Sequence, residues 1–326
     1  MNITRRAALK AAGAVPLAAL ASQASAQAEW PKAQPIRVLI PFAPGGVPDI
    51  ISRIVTPRMS EALGQSFVID NRPGAGGGLA GQLLAQATPD GYTLLMGTVS
   101  TMSIVPAVNP ALKYDPTSFA AIGLAAVVPM VVVVRAESPA QDMAGLVALI
   151  KGKPDFNYGS SGNGSILHLT AELFKLRTGL RMQHIPYRGS APALQALLAG
   201  EIDVVFDALP PTMGQIKAGK LRALGLAMAK RSPALPDLKT LGEQGIAGVE
   251  AYTWAGLYAP AGTSPAIGNR LNAELLKSLG DPENARKIAE LGYELAPSTP
   301  AELAAHTVAE LKKWTEVAKA ADVKPD

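Results

Sequence analysis

Ile36-Arg37-Val38-Leu39-Ile40-Pro41-Phe42-Ala43-Pro44-Gly45-Gly46-Val47-Pro48-Asp49 is the stretch whose reading decides the fold. An apolar run stops at Pro41, a turn with two glycines follows, and a helix-period segment, Ile50–Leu63, begins at once. A strand that feeds a helix through a tight turn opens a βαβ unit, and the same alternation continues down the chain. Strands are expected at Ile36–Phe42, Phe67–Asn71, Thr93–Gly97, Met130–Arg135, Phe156–Ser160, Met182–Tyr187, Asp203–Asp207, Leu221–Met228 and Thr253–Ala259. Helices are expected at Ile50–Leu63, Gly78–Ala87, Met143–Lys151, Ile166–Thr178, Ala191–Ala199, Pro265–Leu279, Pro282–Leu291 and Pro300–Ala318. Within Ile166–Thr178, the residues Ile166, Leu169, Leu173 and Leu176 recur at helical spacing and predict one apolar stripe. The class is therefore α/β, with mainly parallel sheets covered by helices. In such sheets a ligand binds beyond the strand carboxyl ends.

The chain has 326 residues, 48% of them hydrophobic, enough for two domains or one large one. It contains no Cys, which removes disulfides, thiolate zinc sites, iron–sulfur clusters and a Cys nucleophile. Its three histidines, His168, His184 and His306, are dispersed along the sequence, and no metal or cofactor ligand set is read from them. The net charge of +4 must be corrected for the first 26 residues. There a basic start (Arg5, Arg6, Lys10) precedes an apolar run, Ala11–Ala21, and the small residues Ala24-Ser25-Ala26. That layout is an export signal cut after Ala26, with an apolar run too short to span a bilayer. Thr4–Lys10 fits either a twin-arginine signal or a general secretory one. Removing the signal leaves 300 residues near +1 and no electrostatic case for nucleic acid. The expected location is the periplasm, where ATP and NAD(P) chemistry is out of place.

Several segments offer binding chemistry. The loop Phe42, Ala43, Pro44, Gly45, Gly46 and Val47 brings backbone N–H groups to a helix start, which suits an anion. Asp49 is expected to cap that helix. Gly76, Gly78 and Gly81 have the spacing of a dinucleotide fingerprint, but the next strand ends without the acidic residue a ribose needs. The run is read instead as a tight turn beside the cleft. Thr98 and Ser100 stand just past the carboxyl end of Thr93–Gly97. Tyr158–Ser165 places the hydroxyls of Ser160, Ser161 and Ser165, with the flexible Gly164, before a helix whose first turn carries His168. His168 reads as a pocket wall or surface residue. A nucleophile elbow fails because Asn163 stands where its final Gly belongs. Arg188 either holds a carboxylate bidentately or braces its loop against Asp207, and Tyr187 either lines the cleft or packs. Phe42 and Trp254 are open to two readings, stacking on an aromatic acid or core.

Taken in order, these segments resemble the substrate-binding proteins of tripartite tricarboxylate transporters, the Bug-type solute receptors. The resemblance covers the Pro41–Asp49 loop with Arg53, the Asn71–Gly77 turn, Pro89–Tyr92 and Tyr158–Ser165 with His168. It continues through Pro186–Gly189, Leu198–Asp203, Arg231–Asp237 and Trp254–Pro260. It implies a two-lobed type II periplasmic-binding-protein flytrap, monomeric and without a cofactor. One lobe would be residues 27–129 with 253–326, the other 130–252. The flytrap would close on a small organic carboxylate held by loop N–H groups and hydroxyls, then deliver it to membrane permease subunits. One departure stands out: Pro48 occupies a position where the family commonly has Ser or Thr, and Pro donates no hydrogen bond. A sensor for a membrane signalling protein, or an exported Ser hydrolase using Ser161 or Ser165 with His168, are the alternative readings of the same scaffold.

Overall fold

The computed structural model describes residues 30–109 and 111–323; the expected export signal, Met1–Ala26, lies outside them. The chain order is β1 (Ile36–Ile40), α1 (Val47–Leu63), β2 (Phe67–Asn71), α2 (Gly78–Ala85), β3 (Thr93–Thr98), α3 (Val105–Val108) and β4 (Ala120–Arg135). It continues with α4 (Met143–Gly152), β5 (Asn157–Ser160), α5 (Ile166–Thr178), β6 (Gln183–Pro186), α6 (Ser190–Ala199), β7 (Val204–Ala208), α7 (Leu209–Lys217) and β8 (Leu221–Leu226). The last elements are β9 (Tyr252–Ala259), α8 (Pro265–Leu279), α9 (Pro282–Glu290), β10 (Glu294–Leu295) and α10 (Pro300–Ala320).

The βαβ units pair as expected: β1 lies parallel between β2 and β3, and β5 lies parallel between β6 and β7. The expectation of mainly parallel sheets does not extend to the strands between these groups. β9 runs antiparallel to both β3 and β4, and β4 runs antiparallel to β7, β8 and β10. The α/β class stands; β9 reverses within the first sheet, so β4 beside it runs the same way as β1–β3 and then continues into the second sheet, where it lies against β7 in the opposite sense.

β4 makes this possible. Its 16 residues fall into two halves with different partners. Ala120–Pro129 pairs with Ala259–Tyr252 of β9, whereas Met130–Arg135 pairs with β7 and β8. Pro129 sits at the change of partners, where a missing N–H donor is tolerated. The sequence reading found only the second half of this strand, because Pro129 broke the apolar run. It also missed α7, whose Leu209-Pro210-Pro211 start looks like a breaker but places proline in the first helical turn, where no N–H is needed.

One core lies between the β1–β3–β9 face and helices α1 and α8, with Val38, Ile40, Met96, Ile51, Val55, Leu271 and Leu275 buried. A larger one runs from the other face of that sheet, through Tyr258, Leu303 and Trp314, into the β4–β7–β5 sheet. Helix α10 carries Leu303 and Trp314 and touches both β4 and α5. On α5 the buried face is Leu167, Leu169, Thr170, Ala171, Leu173 and Phe174, and Leu176 is 47% exposed. The apolar stripe expected through Ile166 and Leu176 is corrected accordingly: the helix packs over a face rotated toward Phe174, which meets Phe206 at 5.3 Å between ring centres.

The glycines that mimic a nucleotide fingerprint have a steric cause. A Cβ on Gly81 would lie 2.5 Å from the Tyr114 ring, one on Gly76 3.0 Å from Val105 Cγ2 and one on Gly78 3.1 Å from Leu112 Cδ2. Tyr114 is fixed in place, donating its hydroxyl to the Thr101 carbonyl at 2.6 Å and stacking on Phe119. Gly81→Ala is therefore expected to destabilise by about 1–3 kcal/mol through overpacking, read as a lower urea midpoint at unchanged slope. An unmoved midpoint would show that the ring can step aside.

Candidate functional site

Loops at the carboxyl ends of β1, β3 and β5 meet around a cavity of about 420 Å3. From one sheet come Phe42 after β1, Ala75 and Gly76 before α2, Ser100 after β3, and Val105, Val108 and Asn109. From the other comes the continuous run Ser161-Gly162-Asn163-Gly164-Ser165 between β5 and α5. A roomier groove of about 510 Å3 lies beside Leu221 and Leu235, within the layer of one sheet.

The run from Ser161 to Ser165 is shaped from behind. Ser160 is fully buried, with its Oγ 2.6 Å from His184 Nε2. The same hydroxyl accepts from Gly162 N–H at 3.1 Å and lies 3.1 Å from the Gly162 carbonyl. It owns one proton, so the tautomer of His184 decides whether that proton goes to the imidazole or to Gly162. Ser165 caps α5 by accepting the His168 N–H at 3.2 Å. Gly164 N–H donates to His168 Nδ1 at 3.1 Å, which leaves that nitrogen unprotonated. Gly164 also has Val108 and Val323 against it, each 3.9 Å from where a Cβ would sit.

Under the loop is an aromatic stack. His168 lies 3.9 Å from His184 at 6° between planes, and Tyr158 lies 5.0 Å from His184 on the same axis. Tyr158 hydrogen-bonds Glu172, which Lys175 also holds at 2.7 Å. Burial, then the neighbouring His168 and Lys175, push His184 down to about 4, so it is neutral at ordinary pH. His184 escaped the sequence reading because nothing in its strand context marks it as a partner of Ser160.

On the opposite side, the first loop is braced instead of open. Asp49 is 2% exposed and accepts from Gly45 N–H, from Arg53 Nε and Nη2 (each 3.0 Å) and from Asn71 Nδ2 (3.1 Å). Burial pushes its carboxyl up, but hydrogen bonds from Arg53, Gly45 and Asn71 outweigh that and hold it below the ordinary range. The expected cap is corrected: Gly46 is the N-cap of α1, without a side-chain bond, and Asp49 instead fastens the preceding loop. Pro48 lies buried in the first turn of α1. Ala43, Pro44 and Gly45 are exposed, and Gly46 and Val47 are half-buried.

Of the residues expected at the site, Phe42, Ser100, Ser161, Gly164 and Ser165 line the cavity. The Ser100 hydroxyl is committed to the Gly76 carbonyl at 2.8 Å. Thr98, Ser160, His168 and Asp207 are buried and do not line it. Trp254 is fully buried in the core, which decides against its stacking on a ligand. Tyr187 packs over Gly159, and its N–H holds the Ser160 carbonyl at 3.0 Å. The pairing of Arg188 with Asp207 is overturned. Arg188 is exposed, and Asp207 instead takes the Ser190 hydroxyl and, at 2.7 Å, the Ala208 N–H. Gly76, Val105, Val108 and Asn109 line the cavity without having been expected; Gly76 lay in the glycine-rich turn already singled out, but the aliphatic pair carries no chemical signature. The hydrolase alternative also finds no support, since Ser165 Oγ faces the His168 backbone and Ser160, the serine that meets His184, is itself fully buried.

Comparison with known proteins agrees with this arrangement. The profile of the tripartite tricarboxylate transporter family receptor matches residues 51–323. The structure resembles Rpa4515 of R. palustris with adipate, at 36% identity and TM-score 0.78 over 91% of this chain and 100% of that one. It resembles MatC of Rhodopseudomonas palustris with bound malate, at 31% identity and TM-score 0.74 over 88% and 99%. The periplasmic binding protein BugD is similar at 33% identity and TM-score 0.74 over 90% and 99%. The periplasmic-binding-protein fold expected from the sequence is thus the one observed.

Buried Asp207 and half-buried His184 give opposite pH effects. Burial raises Asp207 to about 6, against hydrogen bonds from Ser190 and Ala208 that lower it. Its contribution to stability is full below about pH 3.8 and is lost as pH rises through about 6. His184, depressed to about 4, contributes fully above about 6.5 and loses its share as pH falls toward 4. Asp207→Asn should accordingly raise thermal stability at pH 7–8 by roughly 1–3 kcal/mol and change it little at pH 4. Melting curves between pH 4 and 8 check this; a gain independent of pH would remove Asp207 ionisation as the cause.

Proposed function

The chain belongs to the tripartite tricarboxylate transporter receptor family, and from that membership we propose that it is an exported solute receptor that captures a small organic carboxylate in the cleft between two lobes. The family is one of solute-binding receptors, and carboxylates occupy two of the related structures, adipate in one and malate in the other. The observation that carries the reading is the cavity itself. It gathers the carboxyl-end loops of both sheets, and one wall is the N-terminus of the 13-residue helix α5 with the hydroxyls of Ser161 and Ser165. The Gly162, Gly164 and Ser165 N–H groups are bonded within the loop, so the Ser161 and Ser165 hydroxyls and the positive end of the α5 dipole are what favour a carboxylate there without a cation.

The lobes in this reading are residues 27–129 with 253–326, and residues 130–252. They are joined at Pro129/Met130 on β4, where partners change, and where the chain enters β9 at Tyr252. A ligand touching both Phe42 on one side and Ser161–Ser165 on the other favours the closed arrangement, and only that differential contact drives closure. The closed form is then presented to membrane permease subunits. Export would remove residues 1–26.

The test is thermal unfolding of the protein, first unfolded and refolded to strip carried-over ligand, against malate, adipate and other small carboxylates. A ligand at 1,000 times its Kd stabilises by about 4 kcal/mol, which at about 2–4 °C per kcal/mol is readily seen. Ser161→Ala should then weaken binding by about 0.5–1.5 kcal/mol with the unliganded melting temperature unchanged. A panel without any shift would overturn the carboxylate reading, and an Ala variant of full affinity would move the site away from Ser161.

A further inference from the structure

We propose that α10 is a third connection between the lobes and that its far end, through Val323, positions the binding loop Ser161–Ser165. The inference rests on the two-lobe receptor reading above and adds a residue that acts without touching the ligand. By sequence, α10 belongs with β1–β3 in the first lobe. Its 21 residues reach about 30 Å, and its surroundings change along them. The first half is fastened to the first lobe. Leu303 is fully buried, 3.1 Å from where a Cβ on Gly256 would sit, and Thr307 Oγ1 lies 2.7 Å from the Tyr258 hydroxyl. The middle lies along the entry to β9. There His306 stacks on Tyr252 at 5.9 Å between ring centres, and Lys313 Nζ donates to the Glu250 carbonyl at 3.2 Å. The last turns lie on the second lobe, where Val317, Ala320 and Ala321 share a groove of about 440 Å3 with Leu176, Gly179 and Leu180 at the end of α5.

The two ends are packed differently. Buried side chains and a hydrogen bond hold the first, whereas small residues around open space make up much of the second. Packing of the second kind lets helices slide past one another, so rotation of the lobes is taken up between α10 and α5. Beyond α10 the chain turns sharply. Asp322 has a φ of 48°, a left-handed conformation that a residue with a Cβ disfavours, and Val323 N–H donates to the Ala318 carbonyl at 3.0 Å. That turn brings Val323, half-buried against the larger core, to Gly164, 3.9 Å from where a Cβ would sit. Val108 of α3 stands at the same distance. Gly164 is thus held by its N–H on His168 and flanked by valines from two first-lobe elements. Sliding of α10 across α5 withdraws Val323, and the loop loses that support as the lobes part.

Hydrogen exchange of the unliganded protein, read by peptide mass spectrometry on Val323→Ser and Val323→Ile, tests this. Both changes lie beyond the last residue of α10 and leave the helix sequence intact. The expected result is exchange in the Ser161–Ser165 segment about tenfold faster in Val323→Ser, restored in Val323→Ile, with the urea midpoint unmoved in both. Titration with malate and adipate should then show a Kd roughly threefold or more higher for Val323→Ser, again restored by Val323→Ile. Unchanged loop exchange would overturn the positioning role. So would a faster exchange spread over every helix with a lowered midpoint, or a faster loop that binds the acids as tightly as before. Should neither acid bind the unsubstituted protein, it is the carboxylate reading that falls, and loop exchange still decides the role of Val323.

Discussion

The hydrogen-bond ladder along β4 constrains everything else, because one strand must satisfy partners in two sheets. Its first ten residues are committed to β9 and its last six to β7 and β8. The two parallel groups, β1–β3 and β5–β7, are thereby set side by side, with their carboxyl ends available to the same space. Ligand chemistry is then a matter of which loops follow β1, β3 and β5. β9 runs against β1–β3 and β4, and β4, running the same way as β1–β3, meets the β5–β7 group in the opposite sense as it passes between the sheets.

Much of the architecture was legible because it rests on local rules. Helical spacing of apolar residues predicts Ile166–Thr178 and Pro265–Leu279, and both are helices over those bounds. What escaped was decided by tertiary pairing. Ala120–Pro129 is alanine-rich and ends on a proline, so nothing local says strand; β9 makes it one. At the site, the loop Ser161–Ser165 was readable from its hydroxyls and glycines. The opposite wall was not, because Val105 and Val108 look like any core residues until the fold turns them toward a cavity.

The binding loop owes its shape to groups that no ligand touches. Ser160, His184, His168 and Tyr158 form a buried polar and aromatic layer directly beneath it. Two of its hydrogen bonds, at Gly162 and Gly164, end on backbone atoms of the loop itself. Such a network is stable only when fully satisfied, so the layer fixes one loop conformation instead of several. Asp49 does the same service for the facing loop, where a carboxylate already present would otherwise repel an acidic ligand. Arg53 and Asn71 take up its oxygens.

The shared strand also bears on the order in which the chain can take shape as it is made. β9 is the neighbour of both β3 and the first half of β4, yet it stands more than 120 residues after the start of β4. Until Tyr252–Ala259 is available, β3 and Ala120–Pro129 each keep an unpaired edge. The segment between, with β5, β6, β7 and the last residues of β4, has its own parallel group and its own buried side chains, and can close first. Assembly therefore proceeds from the middle outward: the earliest-made third of the protein waits, half-paired and open to solvent or to other chains, for a strand from the last third.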